Sequence, residues 1–238
     1  MADSGKAEEA SESKPFAFLL FALVVMIFVM PFAAQQTGTS NVLRGLLTLV
    51  MLAGVFASTQ SRAILGSSVF LAVASSGMAW AGEWSNVQGL AVVAYFGTLT
   101  NIIFVACIVG VTILRRECVT ADAVFGGLSV FLLIGVAFMI IYGLVEYFQP
   151  GSFLVRGEEI RGADSLTREA GSFSIFLYLS FITLATVGFG DILPVQPFAQ
   201  MMCAAEGIVG QIFLAVIVAR LIGMSLASRE DGDGHRGV

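Results

Sequence analysis

The sequence predicts an all-α membrane protein: six transmembrane helices per chain, with a re-entrant helix and an extended loop between the fifth and the sixth. Three observations carry this. The 238 residues are 57% hydrophobic and only 12% charged, where soluble domains carry roughly 25% charged residues, and the mean hydropathy is +0.90. Apolar runs of membrane-crossing length are separated by polar turns. Between the fifth and sixth runs lies a further apolar segment, Phe173 to Ile182, too short to cross a bilayer but long enough for a re-entrant helix.

Composition also excludes. The net charge is −5 and the few Lys and Arg are scattered, so nothing points to nucleic acid. One His and three Cys (Cys107, Cys118, Cys203) leave no zinc constellation and no convincing disulfide pair. Two of these cysteines fall in apolar spans and read as small buried hydrophobes. No His–Cys, Ser–His or paired-carboxylate arrangement suggests an enzyme, and no cofactor is expected.

Taken in order, residues 1–15 are polar and mildly acidic and read as a disordered cytoplasmic tail. Residues 16–114 hold four apolar runs: Phe16 to Ala34, Leu43 to Ser58, Ala63 to Ala81, and Gly89 to Leu114. For the first run a cleavable signal peptide is the rival reading, because Phe32-Ala33-Ala34 resembles a processing site; the acidic leader favours a retained helix. Trp80 and Trp84 suit a membrane–water interface. A cytoplasmic linker (115–122) leads to the fifth span, 123–148, with Asp122 as its expected N-cap. A charged, Gly-bearing loop (149–171), the short apolar helix (172–184), the extended stretch 186–190, the last span (198–228) and a polar tail (229–238) complete the chain.

The stretch Thr183-Leu184-Ala185-Thr186-Val187-Gly188-Phe189-Gly190-Asp191 follows the short helix directly. Non-helical backbone is tolerated at membrane depth only where protein buries it or water lines it. Thr186 to Gly190 therefore reads as a strip whose carbonyls face something. Gly188 and Gly190 can take positive φ, which lets successive carbonyls share one axis, while Val187 and Phe189 pack outward.

Thr183-x-x-Thr186-x-Gly188-x-Gly190 resembles the signature of the tetrameric potassium channel family, of the prokaryotic type, over about Ala123 to Ser228. The resemblance implies a homotetramer in the cell membrane, with four loops replacing the hydration shell of K+ by carbonyl oxygens. The coordinating residues would be Thr186, Val187, Gly188, Phe189 and Gly190, with K+ as the only bound metal. It also implies that the loop opens outward and both termini are cytoplasmic. Lys14, Arg62, Arg115, Arg116, Arg220 and Arg229 agree with positive-inside topology, whereas Arg44, Arg156, Arg161 and Arg168 do not. Thr183, Asp191 and Tyr178 are expected to support the filter: Asp191 matches the family's outer-mouth aspartate, with Tyr178 as its partner. Phe189 replaces the more usual tyrosine and so loses a bracing hydroxyl. Ile182 stands where some members carry a glutamate.

The chain departs from the voltage-gated members of the family. A sensor needs several basic residues in the fourth span, because each moved charge is worth about 2.3 kcal/mol per 100 mV. Residues 89–114 carry no charge, and residues 16–114 only Arg44, Arg62 and Glu83. Asn101, their most polar side chain, reads as a bond to a neighbouring helix. About ten residues follow the last span, too few for a ligand-binding domain.

Two stripes can be drawn along the last span. One holds Glu206, Gly210, Phe213, Ile217 and Arg220; the other Gly207, Gln211, Leu214, Val218 and Ile222. Four guanidiniums at the inner mouth would repel a cation, so Gln211, Leu214, Val218 and Ile222 are assigned to the cavity. The gating candidates are Glu206, Gly210 and Arg220. Gly210 matches either a hinge or a close-packing glycine. Glu206, an ionisable group at membrane depth, is either a bond to the pore helix, a proton-sensitive gate or a structural carboxyl. Arg220 snorkels to the inner headgroups, where anionic lipid is a candidate partner. A non-selective cation channel on this scaffold is the alternative, followed by the pore subunit of a potassium uptake system.

Overall fold

A computed structural model describes residues 15–33, 40–57, 62–85, 88–115, 120–160 and 170–234. These residues form helices α1 (Pro15–Ala33), α2 (Ser40–Ala57), α3 (Arg62–Ser85), α4 (Gln88–Arg115), α5 (Ala121–Phe148), α6 (Ala170–Leu184) and α7 (Pro197–Gly234). The strands β1 (Phe153–Val155), β2 (Glu158–Glu159) and β3 (Ile192–Pro194) make one sheet in the order β2-β1-β3. The acidic leader, the turn at 58–61, Cys118, and Arg161 and Arg168 lie outside the described residues.

Among the described residues, length and composition alone allow three helical stretches to cross a membrane: Val92–Arg115, Ala121–Phe148 and Pro197–Arg220. Shorter apolar helical stretches are Phe16–Met30, Gly45–Gly54, Val69–Met78 and Phe173–Leu184. The protein is thus a membrane protein. Its surface agrees. Phe16, Leu19, Leu23, Met26 and Met30 of α1 are buried at three- and four-residue spacing, while Phe18, Phe21, Phe28 and Phe32 on the other faces are 51–72% exposed. An exterior of this kind suits lipid, in which a helix apolar all round needs no polar face.

Helix α5 is the hub. It packs against α1, α4, α6 and α7. Lipid is as apolar as a leucine side chain, so helix association in a membrane depends on close packing and interhelical hydrogen bonds. Gly126 supplies the first: a Cβ there would stand 2.9 Å from Ile113 and 3.1 Å from Phe16. The Thr48–Ser76 hydroxyl pair, at 3.2 Å, supplies the second between α2 and α3.

Two boundaries and the fold class differ from the sequence reading. Thr120, not Asp122, caps α5: it is extended (φ −107, ψ 153) and its hydroxyl accepts the Ala123 N–H at 3.2 Å. Asp122 sits in the first turn instead, where its charge still complements the positive helix end. Helix α7 runs to Gly234, past the expected end at 228, and takes in Arg229 and Glu230, both good helix formers. The all-α expectation is corrected by the sheet. Arg156 (φ 52) and Gly157 (φ 88) form a two-residue turn with both central φ positive, the geometry that matches strand twist in a hairpin. That turn pairs Val155 with Glu158, and β1 pairs in turn with β3, Leu154 opposite Leu193.

Candidate functional site

Helix α6 packs against α5 and α7 and ends at Leu184, where the signature loop begins. Gly135 admits it closely to α5, since a Cβ there would lie 2.6 Å from the Phe181 ring. The last helix carbonyls hold the start of the loop. Thr183 O accepts the Thr186 N–H (2.9 Å), and Ile182 O accepts the N–H groups of Val187 (2.8 Å) and Gly188 (3.2 Å). Among the described residues no backbone N–H bonds to the carbonyls of Thr186, Val187, Gly188, Phe189 or Gly190. The loop thus satisfies its early donors on its own helix and leaves a row of acceptors uncommitted.

The dihedrals order that row. Thr186 (φ 57), Gly188 (φ 52) and Gly190 (φ 77) have positive φ; Val187 and Phe189 between them do not. A φ alternating in sign from residue to residue turns successive carbonyls to one side of the chain, whereas a strand alternates them. The two glycines take this at little cost. Thr186 does not: a β-branched residue with positive φ is an outlier, and such strain persists only where the surroundings over-determine it. Its position was not legible from residue type. Val187 and Phe189 are 51% and 71% exposed in the single chain, so no wall from this chain covers them.

The far end of the loop is fastened twice. The Tyr178 hydroxyl donates to Asp191 Oδ2 at 3.1 Å, and the Asp191 carbonyl accepts the Arg156 N–H at 2.8 Å. The second bond ties the loop to the turn of the β1–β2 hairpin. That hairpin has an anchor which the sequence reading missed. Glu146 of α5, 1% exposed, accepts the backbone N–H groups of Gly151 (2.7 Å) and Phe153 (3.0 Å). Its signal was available, an acidic residue inside an apolar run; its partners, being backbone, leave no trace in sequence. Tyr178→Phe removes one bond while Arg156 and β3 remain. Asp191 is expected to gain mobility with a modest loss of stability, about 0.5–1.5 kcal/mol, read as a small drop in the melting temperature of the assembled protein.

Beneath the loop, α7 closes against α6. A Cβ on Gly210 would meet Leu184 O at 3.0 Å, so close packing is one reason for glycine there. One turn earlier, Glu206 is fully buried. Its carboxyl oxygens meet the hydroxyls of Tyr142 on α5 and Ser180 on α6, and the Ser180 hydroxyl also lies 2.8 Å from the Gly135 carbonyl. The Tyr142 ring packs on Phe153 (5.3 Å) and Phe176 (6.5 Å), which joins β1, α5 and α6 around the carboxyl. Tyr142 and Ser180 were not singled out by sequence, since the rotation of an all-apolar helix about its axis is not encoded in its pattern.

The two stripes of α7 separate. Glu206 and Gly210 are buried, and Phe213, Ile217 and Arg220 are half-buried. Gln211, Leu214, Val218 and Ile222 are exposed. Arg220 lines an apolar cavity of about 290 Å³ with Phe131, Phe213, Leu214, Ile217 and Val218. Asn101 of α4 is fully buried.

Residues 128–225 match the model of the family described as "Ion channel". No curated protein and no solved structure matches the chain. This region is an ion-channel pore domain, a conduit rather than an enzyme. Channels of the matched family typically assemble as oligomers.

Proposed function

We propose that the chain is one subunit of a homotetrameric, potassium-selective channel whose filter is Thr186 to Gly190. The observation that carries this reading is the alternating sign of φ from Thr186 to Gly190, together with the uncommitted carbonyls of those residues. Carbonyl rings of this kind can replace the hydration shell of a dehydrated cation. The resemblance of Thr183-x-x-Thr186-x-Gly188-x-Gly190 to potassium channels names the ion.

Four-fold assembly is supported by what one chain leaves uncovered. In the membrane-crossing window of α7 only 11% of residues are buried, against 67% in α5. The exposed face bears Gln211, a poor lipid-facing residue, above Leu214, Val218 and Ile222. A ring of four α7 helices would direct this face to an aqueous cavity whose lower, apolar part can gate by dewetting. Neighbouring subunits would complete the wall behind Val187 and Phe189. Gating does not use a charged fourth span. Glu206, Gly210 and Arg220 are the gating candidates, with anionic headgroups as the partner of Arg220. Six spans, both termini cytoplasmic and residence in the cell membrane complete the proposal.

Vesicles reconstituted with the purified protein test it. Outwardly directed potassium gradients are expected to drive uptake of rubidium but not sodium, and the detergent-solubilised protein is expected to have the mass of four chains. Equal uptake of both ions, or a conducting monomer, would overturn the reading.

A further inference from the structure

Glu206, Tyr142 and Ser180 are each 0% exposed and meet where α5, α6 and α7 converge. Two hydrogen bonds join them, Tyr142 hydroxyl to Glu206 Oε2 and Ser180 hydroxyl to Glu206 Oε1, and a third runs from the Ser180 hydroxyl to the Gly135 carbonyl. Each bond needs its own proton, and each hydroxyl carries one. Two hydroxyls therefore leave one of the three bonds without a proton. The Gly135 carbonyl can only accept, so the Ser180 proton goes there. The third proton then belongs to the carboxyl.

We propose that Glu206 is held as a neutral carboxylic acid whose proton closes a donor chain from Tyr142 to Glu206 to Ser180 to the Gly135 carbonyl, and that this chain positions the pore helix α6. Each step has a donor and an acceptor, so each of these four groups is hydrogen-bonded, the arrangement that is cheapest away from water. Among the described residues, the two helices packed against Glu206, α5 and α6, carry no Lys or Arg. On α5 the neighbouring acid, Glu146, is engaged by the N–H groups of Gly151 and Phe153. On α6 no residue from Ala170 to Leu184 is charged, and Tyr178 is engaged by Asp191. On α7 itself the Cys203 thiol stands beside the Tyr142 hydroxyl and carries no fixed charge. Arg220 is about 21 Å further along the same helix. If the proton leaves, Ser180 has one proton for two acceptors, and α6 loses its tie either to α5 or to α7. The neutral form is thus the one that holds α6 in place.

Infrared difference spectra of the full-length protein in lipid read the proton directly, whichever ion permeates. Wild type minus Glu206→Gln at neutral pH is expected to show a protonated-carboxyl stretch that the variant has lost; bands of a carboxylate alone would overturn the neutral acid. The glutamine keeps an acceptor for Tyr142 and a donor for Ser180, so the variant is expected to assemble normally. The coupling to α6 rests on the channel reading above and has its own measurement. Wild-type current is expected to fall as pH rises through the loss of that infrared band, and Glu206→Gln current to stay level. Current–pH profiles that superimpose would overturn the coupling and leave the protonation result standing.

Discussion

Gly188→Ala is expected to abolish potassium preference while leaving insertion and assembly intact. At φ 52 the residue lies in the left-handed region, where an L side chain costs about 1–2 kcal/mol. Within one chain nothing lies within 4 Å of the added Cβ, so the penalty is conformational. Summed over the four subunits of the proposed assembly it reaches about 4–8 kcal/mol. Relaxing to negative φ removes that strain but breaks the alternation with Val187 and Phe189, and a carbonyl turns out of the row. The check is ion-dependent stability, since an ion bound only by the native assembly raises its stability by mass action. The wild-type oligomer should melt higher in potassium than in sodium, and the variant should show no difference. An undiminished potassium effect in Gly188→Ala would contradict the filter assignment.

Glu146→Ala should have the second largest effect, at a distance from the ion path. The carboxylate accepts two backbone N–H groups, and hydrogen bonds to a charged group are worth about 1.5–3 kcal/mol each. Their loss amounts to about 3–6 kcal/mol at the root of the hairpin. Strand β1 pairs with β3 and the hairpin turn bonds the Asp191 carbonyl, so the slack reaches the outer end of the loop. Currents of the variant are expected to run down several-fold faster under sustained activation. Glu146→Gln, which keeps one acceptor, should fall between it and the parent. A time course equal to the parent's would show that the hairpin does not brace the loop.

These two sites mark what could and could not be read from the chain. Gly188 and Gly190 announce themselves because a glycine at alternate positions within an apolar region is a backbone instruction. The Tyr178–Asp191 contact was within reach too, since both residues flank that instruction at a family-like spacing. Thr186 was not, because its positive φ is imposed by the helix carbonyls behind it. The sheet was half legible: Arg156-Gly157 is a local turn signal, but β3 is three residues long and its partner is remote in sequence. Glu206 stood out as a carboxyl in an apolar helix. Its partners did not, because helices apolar on every face carry no record of which face meets which neighbour; α1, with phenylalanines both buried and exposed, shows the same limit. Asp122 and Thr120 are both capping residues, and the choice between them depended on where the chain turned, not on type.

The central claim is that Thr186 to Gly190 form a filter that passes potassium and rejects sodium. The reversal potential of purified protein in a planar bilayer, with potassium on one side and sodium on the other, tests it most directly. The account predicts a value close to the potassium equilibrium potential. Robust current reversing near zero would contradict it and would place the missing hydroxyl of Phe189 first among the causes to examine.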